Sequence, residues 1–82
     1  MGYGGNRNVI HKRLKQARKA MGMTQDTLAA KMQVYGLNIV QNSISKIEIN
    51  ERIVTDYELI CICKILKIDM NTLFDKIFDE TH

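Results

Sequence analysis

No stretch of this chain alternates apolar and polar residues in the short, turn-bounded way that marks a half-buried strand, and proline is absent. Apolar residues recur instead at steps of three and four, the spacing that lines one face of an α-helix. An all-helical fold is therefore predicted. Gly22, Gly36 and Asn50 can each adopt the left-handed conformation that closes a helix, while Thr24, Thr55 and Asp69 offer oxygens to the unpaired amides that open one.

This punctuation divides the chain into five helices. The first is expected over residues 8–21, where Ile10, Leu14, Ala17 and Met21 form the apolar stripe and the opposite faces carry Lys and Arg. A second, capped by Thr24, places Gln25 and Asp26 in its first turn and continues through Leu28, Ala29 and Met32 toward Tyr35. Residues 41–49 form the third, with Ile44 and Ile47 toward the core. Thr55 and Glu58 spell a capping box for the fourth, residues 56–67, whose broad apolar surface predicts a central position. The fifth, residues 70–79, carries Leu73, Phe74, Ile77 and Phe78, two pairs spaced by four. One stripe completes the core, which leaves Ile77 and Phe78 for a dimer interface. Residues 1–7 begin with the glycine-rich MGYGG and are expected to be flexible, so the domain is placed at 8–79.

Eighty-two residues form one domain, near the lower limit at which a core alone outweighs chain entropy, and a deep catalytic cleft is not expected. Aromatics are 6% of the chain, too few for a platform that stacks single-stranded bases. No apolar run reaches the ~20 residues needed to span a bilayer, and no signal-peptide pattern opens the chain. A cytoplasmic protein without membrane contact is expected. Cys61 and Cys63 lie two apart in an apolar helical run, and His11 and His82 are distant, so no metal site is read here. The thiols behave as small hydrophobes. No glycine-rich phosphate loop, nucleophile set, cofactor motif or small-molecule site is evident, so the chain is not expected to be an enzyme.

Charge is unevenly distributed. Through Lys46 there are eight basic residues against Asp26 alone, whereas the remainder has four against eight acids. The basic half suits a polyanion, because Lys and Arg displace the counterions of a phosphate backbone. Within it lies QNSISKIE, residues 41–48, in which Gln41, Asn42, Ser43, Ser45 and Lys46 are packed around only Ile44 and Ile47, ahead of Glu48. In isolation such a row is an ordinary solvated face, and so is a basic first helix.

Taken in order, RLKQARKAMGMTQDTLAAKM, NSISKIE and TDYELICICKILKIDMNTLF resemble the Cro/C1-type helix-turn-helix family, also called XRE-like, over residues 9–74. The resemblance implies a five-helix lambda-repressor-like domain in which helices two and three form the helix-turn-helix and the third enters the major groove. It also implies a partner, double-stranded DNA, and a role in transcription regulation. Carried over, it directs Gln41, Asn42 and Ser43 into the groove, where their side chains match the donors and acceptors on base edges. Ser45 and Lys46, one turn on, reach a base edge or a phosphate. Gln25 becomes a phosphate anchor at a helix start and a brace for the third helix. Arg7, Arg13 and Arg52 are further backbone candidates. Arg18 and Glu48 take the positions of an ion pair tying the first helix to the third. A homodimer reading two half-sites is the expected assembly.

The pattern departs from the family at two places. About five extra residues, 34–38, separate the second helix from QNSISKIE, so either that helix is a turn longer or the linker loops outward. Val40 stands where a Ser or Thr cap is common and has no side-chain acceptor. The leading reading is a sequence-specific DNA-binding regulator, most simply a repressor. The alternative is an antitoxin-like or adaptor protein that acts mainly by holding another protein.

Overall fold

The computed structural model describes residues 8–74 of the chain. The expected flexible start, Arg7, Ile77 and Phe78 lie outside the described residues. Within them are five helices and no strand: α1 His11–Ala20, α2 Gln25–Val34, α3 Gln41–Glu48, α4 Asp56–Leu66 and α5 Met70–Phe74.

Helices α1 to α4 all end alike. Gly22 (φ 70), Gly36 (φ 89), Asn50 (φ 64) and Lys67 (φ 56) are left-handed. In each case the next amide reaches back across the last turn, from Met23 to Arg18 O at 3.1 Å, Leu37 to Met32 O at 3.4 Å, Glu51 to Lys46 O at 2.8 Å and Ile68 to Cys63 O at 3.1 Å. These bonds satisfy carbonyls that have no partner within the helix. Helix starts are less uniform. Thr24 Oγ1 accepts from Thr27 N at 3.0 Å, and Thr55 and Glu58 form the reciprocal box, with Glu58 N to Thr55 Oγ1 at 3.2 Å and Thr55 N to Glu58 Oε1 at 3.0 Å. Asp69 Oδ1 accepts from Thr72 N at 2.6 Å. At Val40 only the weaker half of a box forms, its N–H donating to Ser43 Oγ at 3.4 Å.

Residue 8 is not part of α1, contrary to the expected start. Asn8 is buried and spends its polar groups elsewhere: its amide donates to Asn50 Oδ1 (3.2 Å), its Nδ2 to Ile47 O (3.0 Å) and Arg52 O (2.9 Å), and its Oδ1 accepts from Ile10 N (3.2 Å). A side chain that pairs this fully with the far end of α3 holds the backbone out of helical geometry. It pins the segment just before α1 to the C-terminal turn of α3.

Leu14, Leu28, Met32, Ile39, Ile44, Ile47, Ile62, Leu66 and Leu73 are fully buried. Among the described residues the packing centres on α2 and α3 rather than on α4: α3 lies against both α1 and α2, and α4 packs on α2. The breadth of apolar residues on α4 is not matched by burial, since Ile60 remains 44% exposed. The extra residues before α3 go into the linker. Helix α2 closes at Val34, Ile39 is buried, and Gln33 Nε2 donates to Ile39 O at 2.7 Å, which ties the linker back to α2.

Candidate nucleic-acid interface

Two full turns make α3, and its sequence decides which sides it shows. Ile44, Ile47 and Glu48 are buried, Ser43 and Ser45 are half-buried, and Gln41, Asn42 and Lys46 are exposed. The isoleucines, three apart, fix the inward face. Among the described residues the side chains of Asn42, Ser45 and Lys46 have no hydrogen-bond or ion-pair partner, so they are available to a ligand.

A charged residue holds the inner side. The Glu48 carboxylate receives Arg18 Nε at 2.7 Å and Arg18 Nη2 at 3.1 Å, and Arg18 Nη1 also donates to Met23 O at 2.6 Å. Both side chains are over nine-tenths buried. The guanidinium fork thus clamps α3 to α1 and to the turn between α1 and α2. Gln25 adds to it: its Nε2 donates to Glu48 Oε1 at 3.0 Å, and its Oε1 accepts from Gln41 Nε2 at 2.6 Å. Four side chains from three helices therefore form one continuous hydrogen-bonded row, running from Arg18 in the interior to Gln41 at the surface.

The remaining sequence-selected residues are placed differently. Ser43 is tied to its own helix start through Val40 N. Arg13 Nη1 donates to Thr72 O at 3.1 Å, which engages it with α5. Arg52 forms a two-pronged pair with Glu58, Nη1 to Oε1 and Nη2 to Oε2, both at 2.8 Å. Its guanidinium holds the Glu58 carboxyl below its usual range, against an opposing effect of burial. These two arginines are thus partnered within the fold. Sequence reasoning missed Asn8, whose bonds set the far end of α3. A lone polar residue ahead of a helix gave no reason to expect a contact with Ile47, 39 positions on.

Elsewhere the chemistry is spare. Cys61 is in the core, and burial pushes the half-buried Cys63 thiol up, with Asp69 adding to the effect, so the reactive thiolate is disfavoured. No cluster of metal-ligating side chains occurs among the described residues, and no described helix is long and apolar enough to cross a membrane.

Comparison with curated proteins and with solved structures returns no match. A family model does match: the helix-turn-helix model HTH_3 covers residues 14–73, most of the chain and all of the Arg18–Glu48 clamp, α2 and α3. With its five helices and its outward polar row on α3, the chain belongs to this helix-turn-helix family, the Cro/C1-type, XRE-like class of DNA-binding regulators.

Proposed function

We propose that the protein is a cytoplasmic repressor that recognises a specific duplex sequence by placing α3 in the major groove. One observation carries this reading: Gln41, Asn42 and Lys46 project from a helix whose other side is clamped by a buried ion pair. A rigid base under exposed polar tips is what base readout needs, because a helix held in place loses little entropy on binding. Gln41 and Asn42 have the donor-plus-acceptor amides that suit adenine edges, and Lys46 suits guanine or a phosphate. Ser43 and Ser45 complete the contact set, with Gln25 as the phosphate anchor through its backbone amide at the start of α2, its side chain being held by Glu48 and Gln41. Arg13 and Arg52, already partnered, add to the positive field rather than supplying dedicated contacts.

The active form is proposed to be a homodimer, since one eight-residue helix reads too few base pairs for adequate specificity. Exposed Ile53, Tyr57 and Ile60 support an apolar contact near the start of α4, and Ile77 and Phe78 are proposed as dimer contacts on the sequence alone. The test is competitive binding to duplexes that differ at single base pairs. Gln41→Ala and Asn42→Ala should each lose preference at one position, at about 1–3 kcal/mol, whereas Lys46→Ala should weaken all duplexes alike if it contacts a phosphate. Equal weakening by all three would refute base readout.

A protein-binding role has one observation in its favour. Val34 (85% exposed), the last residue of α2, and Tyr35 (53%), its C-cap, project beside an open depression of about 300 Å³ lined also by Lys31 and Ile65. Val34→Asp should abolish capture of such a partner and leave DNA binding intact.

A further inference from the structure

The side chain just ahead of α3 contributes nothing to the closure of that helix. Val40 takes the N-cap position in extended geometry (φ -125, ψ 173), where a serine, threonine, asparagine or aspartate would accept a hydrogen bond from the first turn and where valine is among the poorest residues. Its backbone alone closes the helix start: Val40 O accepts from Ser43 N at 2.9 Å and from Ile44 N at 3.3 Å, and Val40 N donates to Ser43 Oγ at 3.4 Å. Side chains alternate along extended backbone. Ile39 takes the inward side, 1% exposed, with its carbonyl held by Gln33 Nε2 at 2.7 Å. Val40 is thereby turned outward and stays 52% exposed, next to the exposed Gln41 and Asn42. An isopropyl group that forgoes a cap and is not buried breaks a local rule without a gain inside the domain, and such breaks collect at functional sites.

We propose that Val40 is a specificity-determining residue that recognises thymine by packing against its 5-methyl group. This rests on the DNA reading given above and adds to it a contact of a different kind. In a helix-turn-helix the N-terminal end of the recognition helix meets the base edges, so the N-cap side chain of α3 enters the groove together with Gln41. The thymine methyl is the one apolar group that base pairs present there. Valine has no donor or acceptor, so it gains nothing from a phosphate, and set against the polar edge of a base it would strip that edge of water without replacing the lost hydrogen bonds. The thymine it reads belongs to the base pair met by Gln41 or to the pair beside it. Its placement comes from the lengthened linker, since the buried Ile39 that anchors the linker also turns Val40 outward.

The experiment takes the duplex that the full chain prefers and replaces each thymine in turn by uracil, which removes the methyl and leaves the pairing and the polar edge as they were. Binding is compared for the wild type, Val40→Ala and Val40→Ser. At a thymine in or next to the pair that Gln41→Ala relaxes, uracil should weaken the wild type about fourfold, the loss expected for one buried methyl group. Both variants should bind the thymine and uracil duplexes equally at that position and keep their preferences elsewhere. A second readout needs no DNA. Val40→Ser supplies the missing cap, so its melting temperature should rise by about 4 °C, whereas Val40→Ala should melt close to the wild type.

Melting of either variant well below the wild type would show that the side chain supports the fold, and would overturn the premise. Wild-type binding that no uracil weakens, or that uracil weakens equally in Val40→Ala, would overturn the methyl contact and leave base readout by Gln41 and Asn42 standing. If the wild type prefers no duplex, the DNA reading itself fails and the thymine contact falls with it.

Discussion

Replacing Arg18 by Met tests whether the clamp under α3 holds the fold together. The substitution keeps most of the apolar stem and removes the charge, leaving Glu48 buried with Gln25 as its one remaining side-chain partner. Removing one partner of a buried ion pair costs about 3–5 kcal/mol, because the charge left behind is desolvated without compensation. The Met23 carbonyl also loses its 2.6 Å donor. A domain of 82 residues has roughly 4–12 kcal/mol of total stability. The single change thus removes a large fraction of it, and urea melts followed by circular dichroism should show a midpoint lowered by about one molar or more, or no folded baseline. Arg18→Met with Glu48→Leu removes both charges and should recover at least about 2 kcal/mol over the single variant, since an apolar pair of similar volume needs no solvation. A cost under about 1 kcal/mol for Arg18→Met, as for exposed pairs, would refute the argument. So would a double variant no more stable than the single one.

Three smaller perturbations follow from the same geometry. Gly22→Ala meets no neighbouring atom within 4 Å, so its cost is the left-handed strain alone, about 1 kcal/mol by thermal melting, and a loss above 3 kcal/mol would mean the turn is packed more tightly than described. Asn8→Ala strips donors from the carbonyls of Ile47 and Arg52 and should cost about 1–3 kcal/mol, with hydrogen exchange accelerating at the end of α3. For Glu58, a folded-state pKa depressed below the ordinary 4.5, chiefly by the Arg52 hydrogen bonds, means that its contribution is present above pH 4.5 and is lost as pH falls through the depressed value. Stability should therefore decline in that acid window, and less steeply in Arg52→Met; identical acid slopes for the two proteins would contradict the pairing.

Local chemistry explains which parts of this fold were legible in the sequence. Gly22, Gly36 and Asn50 signalled three helix ends because they tolerate positive φ, whereas Lys67 adopts the same conformation without any such signal. The box at Thr55 and Glu58 was readable because both partners lie within one turn. What escaped the reading depends on distant partners. Asn8 looked like the start of a helix until its contacts with residues 47, 50 and 52 were known. Arg52 looked like a cation awaiting a phosphate, although the same Glu58 that caps α4 also takes its guanidinium. Breadth of apolar residues placed α4 at the centre, yet burial depends on what covers a face, and Ile60 stays exposed. The Gln25 to Gln41 bond, 16 residues apart, has no sequence period, but the row it completes gives α3 its orientation.

Selection of bound duplexes from a random pool, at low and at physiological salt, tests the central claim most directly. The account predicts that one short sequence is enriched at both concentrations, with affinity falling steeply as salt is added and with adenine favoured at the position that Gln41→Ala relaxes. Recovery of unrelated sequences at low salt and of nothing at high salt would show that the basic half merely attracts phosphate, and would contradict the assignment of α3 as a reader of bases.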